Sequence, residues 1–424
     1  MSAPPHSPTS PHHSDYQQAL SALYALSPKG IQLDLSRVLA ASQRLGDVHQ
    51  RLRAVQIAGT NGKGTVTRVL AHAAHRGGLR VGMFTSPHLH RFAERVQIDG
   101  QCADDDVLAR ALGQVLLLTR PPDAIPLTFF EAATLCALLV FAQAQVDIAF
   151  LEVGLGGRLD ATSAVPPVAT AITSIGLDHT ALLGDTEAAI AAEKAAIARP
   201  GIPMFTGALQ AEAHDAVAAI CRARQTPLRV LGRDFHVDDT LTPPWPGAHQ
   251  RQNAHLALAI YQHLQQHHFP TLDDANFRRA LDSATWPGRF ERIGTRPTFL
   301  LDGAHNMPAA RALLDALDEQ RTPVDTLIFG ALSDKPFAEM FALLRPICRH
   351  VVCVAPPIQR AFDAAAFAQQ HHLRLARDMP DALQQAARLS TEASSTVLVT
   401  GSFFTVAEAR RLLTDAPSDP PVGL

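Results

Sequence analysis

No apolar run in the sequence is long enough to cross a membrane; the longest, such as Leu135 to Phe141, fall far short of the roughly 20 residues a span needs. The N-terminus lacks the basic-then-apolar order of a secretion signal, so a soluble, cytoplasmic protein is expected. Dense basic runs are missing as well. Lys plus Arg number 37 against 40 Asp plus Glu, a near balance that argues against an extended nucleic-acid or anionic-membrane surface. Any anionic ligand must then be held locally. Cysteines are few: Cys102, Cys136, Cys221, Cys348 and Cys353 are an odd number without CxxC spacing, which implies neither a disulfide framework nor a zinc site. No internal repeat of fixed period stands out.

What is present is a long chain able to bury itself. At 424 residues, 47% of them hydrophobic, it exceeds what one core usually organises and suggests two or three units. Residues 1–14 are mostly Ser, Pro and His, and 416–424 repeat the pattern with Pro and Asp. Such compositions bury too little surface to offset their ordering entropy, so both ends are expected to be solvated tails, the His-rich start included. Between them, short apolar runs alternate with Ala- and Leu-rich helical stretches. Ala54–Ala58, Val81–Phe84, Ile148–Leu151 and Val168–Ile172 form one series. Thr298–Leu301, Thr326–Phe329, His350–Val354 and Thr396–Thr400 form another. This order predicts an α/β protein with parallel-type sheets flanked by helices. We expect a first domain over 15–287, a hinge linker over 288–297 and a smaller α/β domain over 298–415.

The strongest local signal is Ala58-Gly59-Thr60-Asn61-Gly62-Lys63-Gly64-Thr65, which follows an apolar strand and opens a helix near Thr65. Glycines there let backbone N–H groups wrap a phosphate at a helix N-terminus, with Lys63 reaching the terminal phosphates and Thr65 near a metal. The match to the usual P-loop is imperfect, because Gly64 separates Lys63 from Thr65 and Ile57 occupies the early glycine position. A second signal is Leu151-Glu152-Val153-Gly154-Leu155-Gly156-Gly157-Arg158-Leu159-Asp160-Ala161. An acidic residue ending a buried strand suits Mg²⁺ facing phosphates, since hard cations take oxygen ligands. A third is Leu177-Asp178-His179-Thr180, again at a strand end, followed by Glu193-Lys194 in an Ala-rich helix. Taken singly, each of these residues could equally be structural.

Together the motifs become recognisable. GTNGKGT at 59–65, TSPHL at 85–89, LEVGLGGRLDAT at 151–162, LDHT at 177–180, EKA at 193–195, PGRFE at 287–291, LDGAHN at 301–306 and TGSFFTV at 400–406 resemble the folylpolyglutamate synthase family of the Mur ligase superfamily. They occur in family order over nearly the whole folded chain. Gly64, awkward for a generic P-loop, is a feature of the folate branch, whereas cell-wall Mur ligases follow that Lys directly with Ser or Thr.

The resemblance implies an ATP-dependent ligase that adds L-glutamate to dihydropteroate and to the γ-carboxylate of reduced folates through an acyl phosphate. It implies ATP contacts at Thr60, Asn61, Gly62, Lys63, Asn253, Arg289 and Asp302, with His305 beside them and the flanking Gly64 and Thr65 of the loop. Two Mg²⁺ ions at Ser86, Glu152 and His179, a monovalent cation, and a carboxylated Lys194 as a further metal ligand are also implied. Pro28, Lys29 and Gly30, Thr128, Phe129, Phe130 and Glu131, and Leu159, Asp160 and Ala161 match the pterin-binding loops of bifunctional members. Departures are small: Ala196 stands where a Gly usually follows EKA, and Pro28 and Gly30 are not the commonest residues in their loop. The family further suggests a monomer with small-molecule partners only. Other readings to be separated are a folylpolyglutamate synthase without dihydrofolate synthase activity, a cell-wall Mur-type ligase, a P-loop ATPase that consumes no glutamate, and a non-catalytic binding module.

Overall fold

A computed structural model describes residues 11–27, 34–237, 240–392 and 395–419, with the side chains of 11–14 excepted. Pro28, Lys29 and Gly30 lie outside the described residues. So do 1–10 and 420–424 of the expected tails.

Two sheets organise the chain. The first contains β1 (Ala54–Ala58), β2 (Val81–Phe84), β3 (Val96–Ile98), β4 (Gln101–Cys102), β5 (Ile148–Glu152), β6 (Pro167–Ile172), β7 (Met204–Thr206) and β8 (Leu228–Val230). Their spatial order is β4-β3-β2-β5-β1-β6-β7-β8, parallel except where β3 pairs with β2 and β4. The second contains β9 (Glu291–Ile293), β10 (Thr298–Leu301), β11 (Val324–Phe329), β12 (Cys348–Cys353), β13 (Arg374–Leu375) and β14 (Thr396–Thr400), ordered β13-β12-β11-β14-β10-β9 with β9 antiparallel. Every residue of β1, β5 and β14 is buried. Helices cover both faces of a parallel sheet, so its central strands read as continuous apolar runs rather than alternating ones.

Strand order places the motifs. β5, β1 and β6 are neighbours, with Ile57 paired to Glu152 and Ala58 to Ile172. Residues 59–64, 152–157 and 173–179 therefore leave adjacent strand ends at one carboxyl edge, where open α/β sheets bind ligands. In the second sheet β11, β14 and β10 are neighbours, so Asp302, Lys335 and Ser402 follow adjacent strand ends in the same way.

Three expectations about organisation are revised. A helix spans Pro11–Tyr24, beginning inside the segment expected to be a tail, and it buries Tyr16, Leu20 and Leu23 against Leu108, Leu112 and Val115 of helix Asp105–Leu117. The segment expected to be a linker contains β9, an edge strand of the second sheet. At the other end Asp419 is buried rather than solvated. Its carboxylate accepts hydrogen bonds from the Tyr16 hydroxyl (3.1 Å) and the Phe92 N–H (2.7 Å), and its own N–H donates to the His90 carbonyl (2.9 Å). Composition argued for a tail because one anchored carboxylate does not register in an average. Asp419→Ala leaves those two buried donors without an acceptor and is expected to destabilise the protein by about 1–3 kcal/mol, read as a lower urea midpoint.

Candidate active site

The phosphate loop is shaped by its neighbours in the sheet. Gly59 has φ 147°, and a Cβ there would stand 1.9 Å from Thr173 Oγ1; at Gly62, φ 86°, it would stand 2.6 Å from the Asn253 side chain. Both positions therefore exclude other residues. The Thr60 N–H donates to the Ser174 carbonyl (2.8 Å), and the Thr173 hydroxyl donates to the Asn61 carbonyl (2.6 Å). The loop is thus fixed to the strand end beside it. Helix Lys63–Arg76 starts two residues earlier than expected, with Gly62 as its N-cap. Gly64 also has a physical reason: a Cβ there would approach Trp286 at 2.9 Å and Glu152 Oε2 at 3.4 Å. The first helical turn passes directly under the acidic residue. Lys63 Nζ folds back to donate to the Gly59 (3.1 Å) and Thr60 (3.3 Å) carbonyls.

Glu152 is buried, and burial raises its pKa, with Lys63 opposing that shift. One oxygen accepts the Ser86 N–H at 3.0 Å, which ties the 85–89 loop to the end of β5. His179 sits at φ 51° at the start of a short helical turn, half exposed, with a pKa lowered first by desolvation. Lys194 ends helix Glu187–Ala195 and is 5% exposed. Desolvation first, then Lys63, lower its pKa to about 7. Asp178 behaves oppositely: burial acts to raise its pKa, but Lys335 and two histidines hold it well below the usual carboxylate range.

These groups share one cavity of about 280 Å³, lined by residues 59–64, Ser86, Glu152, His179 and Lys194 from the first sheet. Arg289, His305, Lys335, Arg360 and Ser402 line it from the second. A smaller cavity of about 190 Å³ continues past Asn61 and Gly62 to His249, Gln250, Asn253 and Asp302. The two cavities meet at the loop, with Asn61, Gly62, Arg289 and His305 lining both. Arg289 lies between them, stacked on the Phe403 ring at 4.2 Å. Asp302 accepts the Phe290 and Ala304 N–H groups (3.0 Å each) and so shapes the turn that presents His305. Thr65 is buried beneath the loop.

Among the described residues no three His, Cys, Asp or Glu side chains form a group able to hold a metal by themselves. The donor set nevertheless suits Mg²⁺, which usually takes one or two carboxylates and completes its shell with substrate phosphates and water. Ser86, Glu152 and His179 would hold it, on the wall facing the phosphate loop.

The described residues matched to pterin-binding loops lie at the start of helix Phe129–Gln143 and beside the turn that follows β5. Thr128 caps helix Phe129–Gln143, and Glu131 returns a carboxylate to the Thr128 N–H (2.7 Å) while pairing with Arg37 (2.8 Å). Phe129 packs on Tyr24 and beneath Arg95, and Phe130 packs against Phe84 and over Gly154. Asp160 is buried and accepts from the N–H groups of Gly154 (3.0 Å), Leu155 (3.1 Å) and Thr162 (3.0 Å). Neither these side chains nor Leu159 and Ala161 line the two cavities. Phe130 and Asp160 support the 154–155 turn that does.

Sequence reasoning assigned no role to Lys335, Arg360 or Asp178. A signal existed for the first: the chain has four lysines, and Lys63, Lys194 and Lys335 all line the cavity. In a chain that otherwise uses Arg, three ammonium groups in one cleft mark chemistry rather than surface charge.

Residues 288–403 match the family model described as Mur ligase, glutamate ligase domain. A probable bifunctional folylpolyglutamate synthase/dihydropteroate synthase of Haloferax volcanii is 37% identical over 95% of this chain, which spans about half (51%) of that longer relative. The dihydrofolate synthase/folylpolyglutamate synthase of Bacillus subtilis is 31% identical, covering 94% of this chain and 99% of the relative. A solved structure of the bifunctional folylpolyglutamate synthase/dihydrofolate synthase of Yersinia pestis, complexed with AMPPNP and a Mn ion, superposes with a TM-score of 0.85 at 32% identity. It covers 96% of this chain and all of that one.

Proposed function

The chain belongs to the folylpolyglutamate synthase family, and from that premise we propose that it is an ATP-dependent ligase joining L-glutamate to dihydropteroate and to reduced folates. One observation carries the reading: the carboxyl edges of two sheets face a single cleft in which Lys63, Glu152 and Lys194 stand opposite Arg289, Lys335 and Ser402. ATP is the phosphoryl donor, with its phosphates on residues 59–64 and its base toward Asn253 and Asp302. Bound Mg²⁺ supplies charge neutralisation on the phosphates, and one carboxylate with Ser86 and His179 suits a shell that the nucleotide completes; a monovalent cation is a further expected ligand. A monomer acting on small-molecule substrates is the form we propose. Among the described residues no helix is long and apolar enough to cross a membrane, which agrees with the cytoplasmic location proposed.

The chemistry follows from the leaving group. A carboxylate does not react with an amine at neutral pH because its oxide leaves poorly, so its oxygen first takes the γ-phosphoryl group of ATP. Lys63 and the loop N–H groups stabilise the charge developing in that transfer. The glutamate amine then attacks the acyl carbon and phosphate departs. Lys335, Arg360 and Ser402 are donors suited to the carboxylates of the incoming glutamate. Arg289 and Phe403, reaching over the cleft from the second domain, help exclude the water that would hydrolyse the acyl phosphate.

The test is product identity. Purified protein with ATP, Mg²⁺, glutamate and either dihydropteroate or tetrahydrofolate is expected to yield glutamylated products of both, identified by mass. Elongation of tetrahydrofolate with dihydropteroate untouched would leave a folylpolyglutamate synthase alone. ATP hydrolysis without glutamate consumption would remove the ligase reading.

A further inference from the structure

One carboxylate of the first domain gathers two loops of the second. Asp178 stands in the turn after β6, its side chain 9% exposed, and meets Lys335, whose side chain is 8% exposed, in a nearly buried ion pair. The same oxygen of Asp178 accepts the backbone N–H of His179 (2.9 Å). The other accepts the Asn306 side-chain amide (2.9 Å) and lies 3.8 Å from His305 Nε2. Asn306 is fixed in turn: its carbonyl oxygen caps helix Met307–Glu319 at the Ala309 N–H, and its side chain exchanges hydrogen bonds with that of Asn61 (3.1 Å) in the phosphate loop. These contacts exist only while the domains are together.

We propose that Asp178 is the positioning residue that couples closure of the second domain to the geometry of the first, through Lys335 and Asn306 on one side and the His179 backbone on the other. A nearly buried ion pair is an all-or-none element, because separating its partners returns both charges to water, while removing one strands the other. Domain closure around ligands uses such discrete contacts. His179 holds a left-handed conformation that non-glycine residues adopt only when their surroundings impose it, and the Asp178 carboxylate on its N–H is one such constraint. Losing Asp178 thus opens the cleft and frees the residue that would hold the metal. The proposal goes beyond the ligase reading but rests on it for its kinetic consequence.

The measurements are small-angle X-ray scattering and amide hydrogen exchange on the full chain, with and without AMPPNP, beside steady-state kinetics. Asp178→Ala is expected to give a larger radius of gyration, and exchange at least about tenfold faster across 303–309 and 330–336. Turnover should fall about tenfold or more and KM for ATP should rise with it, because opening loosens the Asn306–Asn61 tie to the phosphate loop and withdraws Arg289 and Asp302 from the nucleotide. Lys335→Met should open the molecule to a similar extent, and the double variant no further than either single one. Unchanged scattering and exchange in folded Asp178→Ala, or strictly additive opening, would overturn the proposal. Should the alanine variant not fold, Asp178→Asn keeps the volume and removes the charge; unaltered exchange around Lys335 in that variant is equally fatal. A wild-type protein that ligates nothing refutes the function reading, whereas a ligase indifferent to Asp178 refutes only this inference.

Discussion

Replacing Lys63 with alanine is expected to lower turnover by roughly two to three orders of magnitude while leaving the fold intact. The ammonium is held by the Gly59 and Thr60 carbonyls, so it already sits over the loop where phosphate would lie and needs no reorganisation to meet developing charge. Its aliphatic stem is only partly buried and belongs to no core cluster, so truncation should leave the melting temperature nearly unchanged. Initial rates with saturating folate and glutamate, set beside a thermal melt, separate the two effects. Lys63→Arg retains the charge but replaces a compact point charge with a planar fork, and the tight loop around Gly62 leaves little room for it. It should recover only a small part of the loss. Near-normal turnover of a folded Lys63→Ala protein would remove the phosphate-loop assignment and with it the role of ATP.

Much of this site could be read from the chain because its parts sit at strand ends. β1, β2, β10 and β14 have the bounds expected from their apolar runs, and β5 is one residue longer, ending on Glu152 itself. Buried parallel strands are nearly continuously apolar, Gln56 of β1 being an exception, so their ends are visible as the place where glycine or charge begins. β3, β4, β7, β8, β9 and β13 were not anticipated; each is two or three residues long, too short for periodicity to register. The reason for Gly64 was also invisible, since Trp286 stands 222 positions away in sequence and only packing brings it against the loop. Asp178 shows the same limit. Its neighbour His179 drew attention as a metal-type residue, but the partners that define Asp178 come from loops more than a hundred residues later. For Glu131 and Asp160, which the resemblance matched to pterin loops, the hydrogen bonds of their carboxylates to backbone N–H groups were likewise invisible in the sequence.

Lys194 is expected to work as a carbamate, and Lys194→Ala to lose on the order of a hundredfold or more in turnover. The ammonium form is poorly accommodated: the residue is 5% exposed and faces Lys63, and among the described residues its side chain makes no hydrogen bond or ion pair. A buried unpaired cation is costly, and the pKa of about 7 means that roughly half the amine is neutral near neutral pH. The neutral amine can attack CO₂, forming an N–C bond and releasing a proton. The product is an anion with two oxygens, which relieves the repulsion from Lys63 and offers a hard ligand on the wall shared with Glu152 and His179. The sign of the pH effect follows. Lowering pH through about 7 protonates the amine and withdraws it from the carbamate, so activity in CO₂-depleted buffer should fall more steeply at pH 6 than at pH 8 and recover on adding bicarbonate. A short carboxylate such as formate should restore part of the activity of Lys194→Ala by occupying the space of the missing group. With four lysines in the chain, alkylative trapping followed by peptide mass analysis assigns the modification without ambiguity. Full activity of Lys194→Ala without additive would show that this lysine is no ligand, and an unmodified lysine in fully active protein would exclude the carbamate.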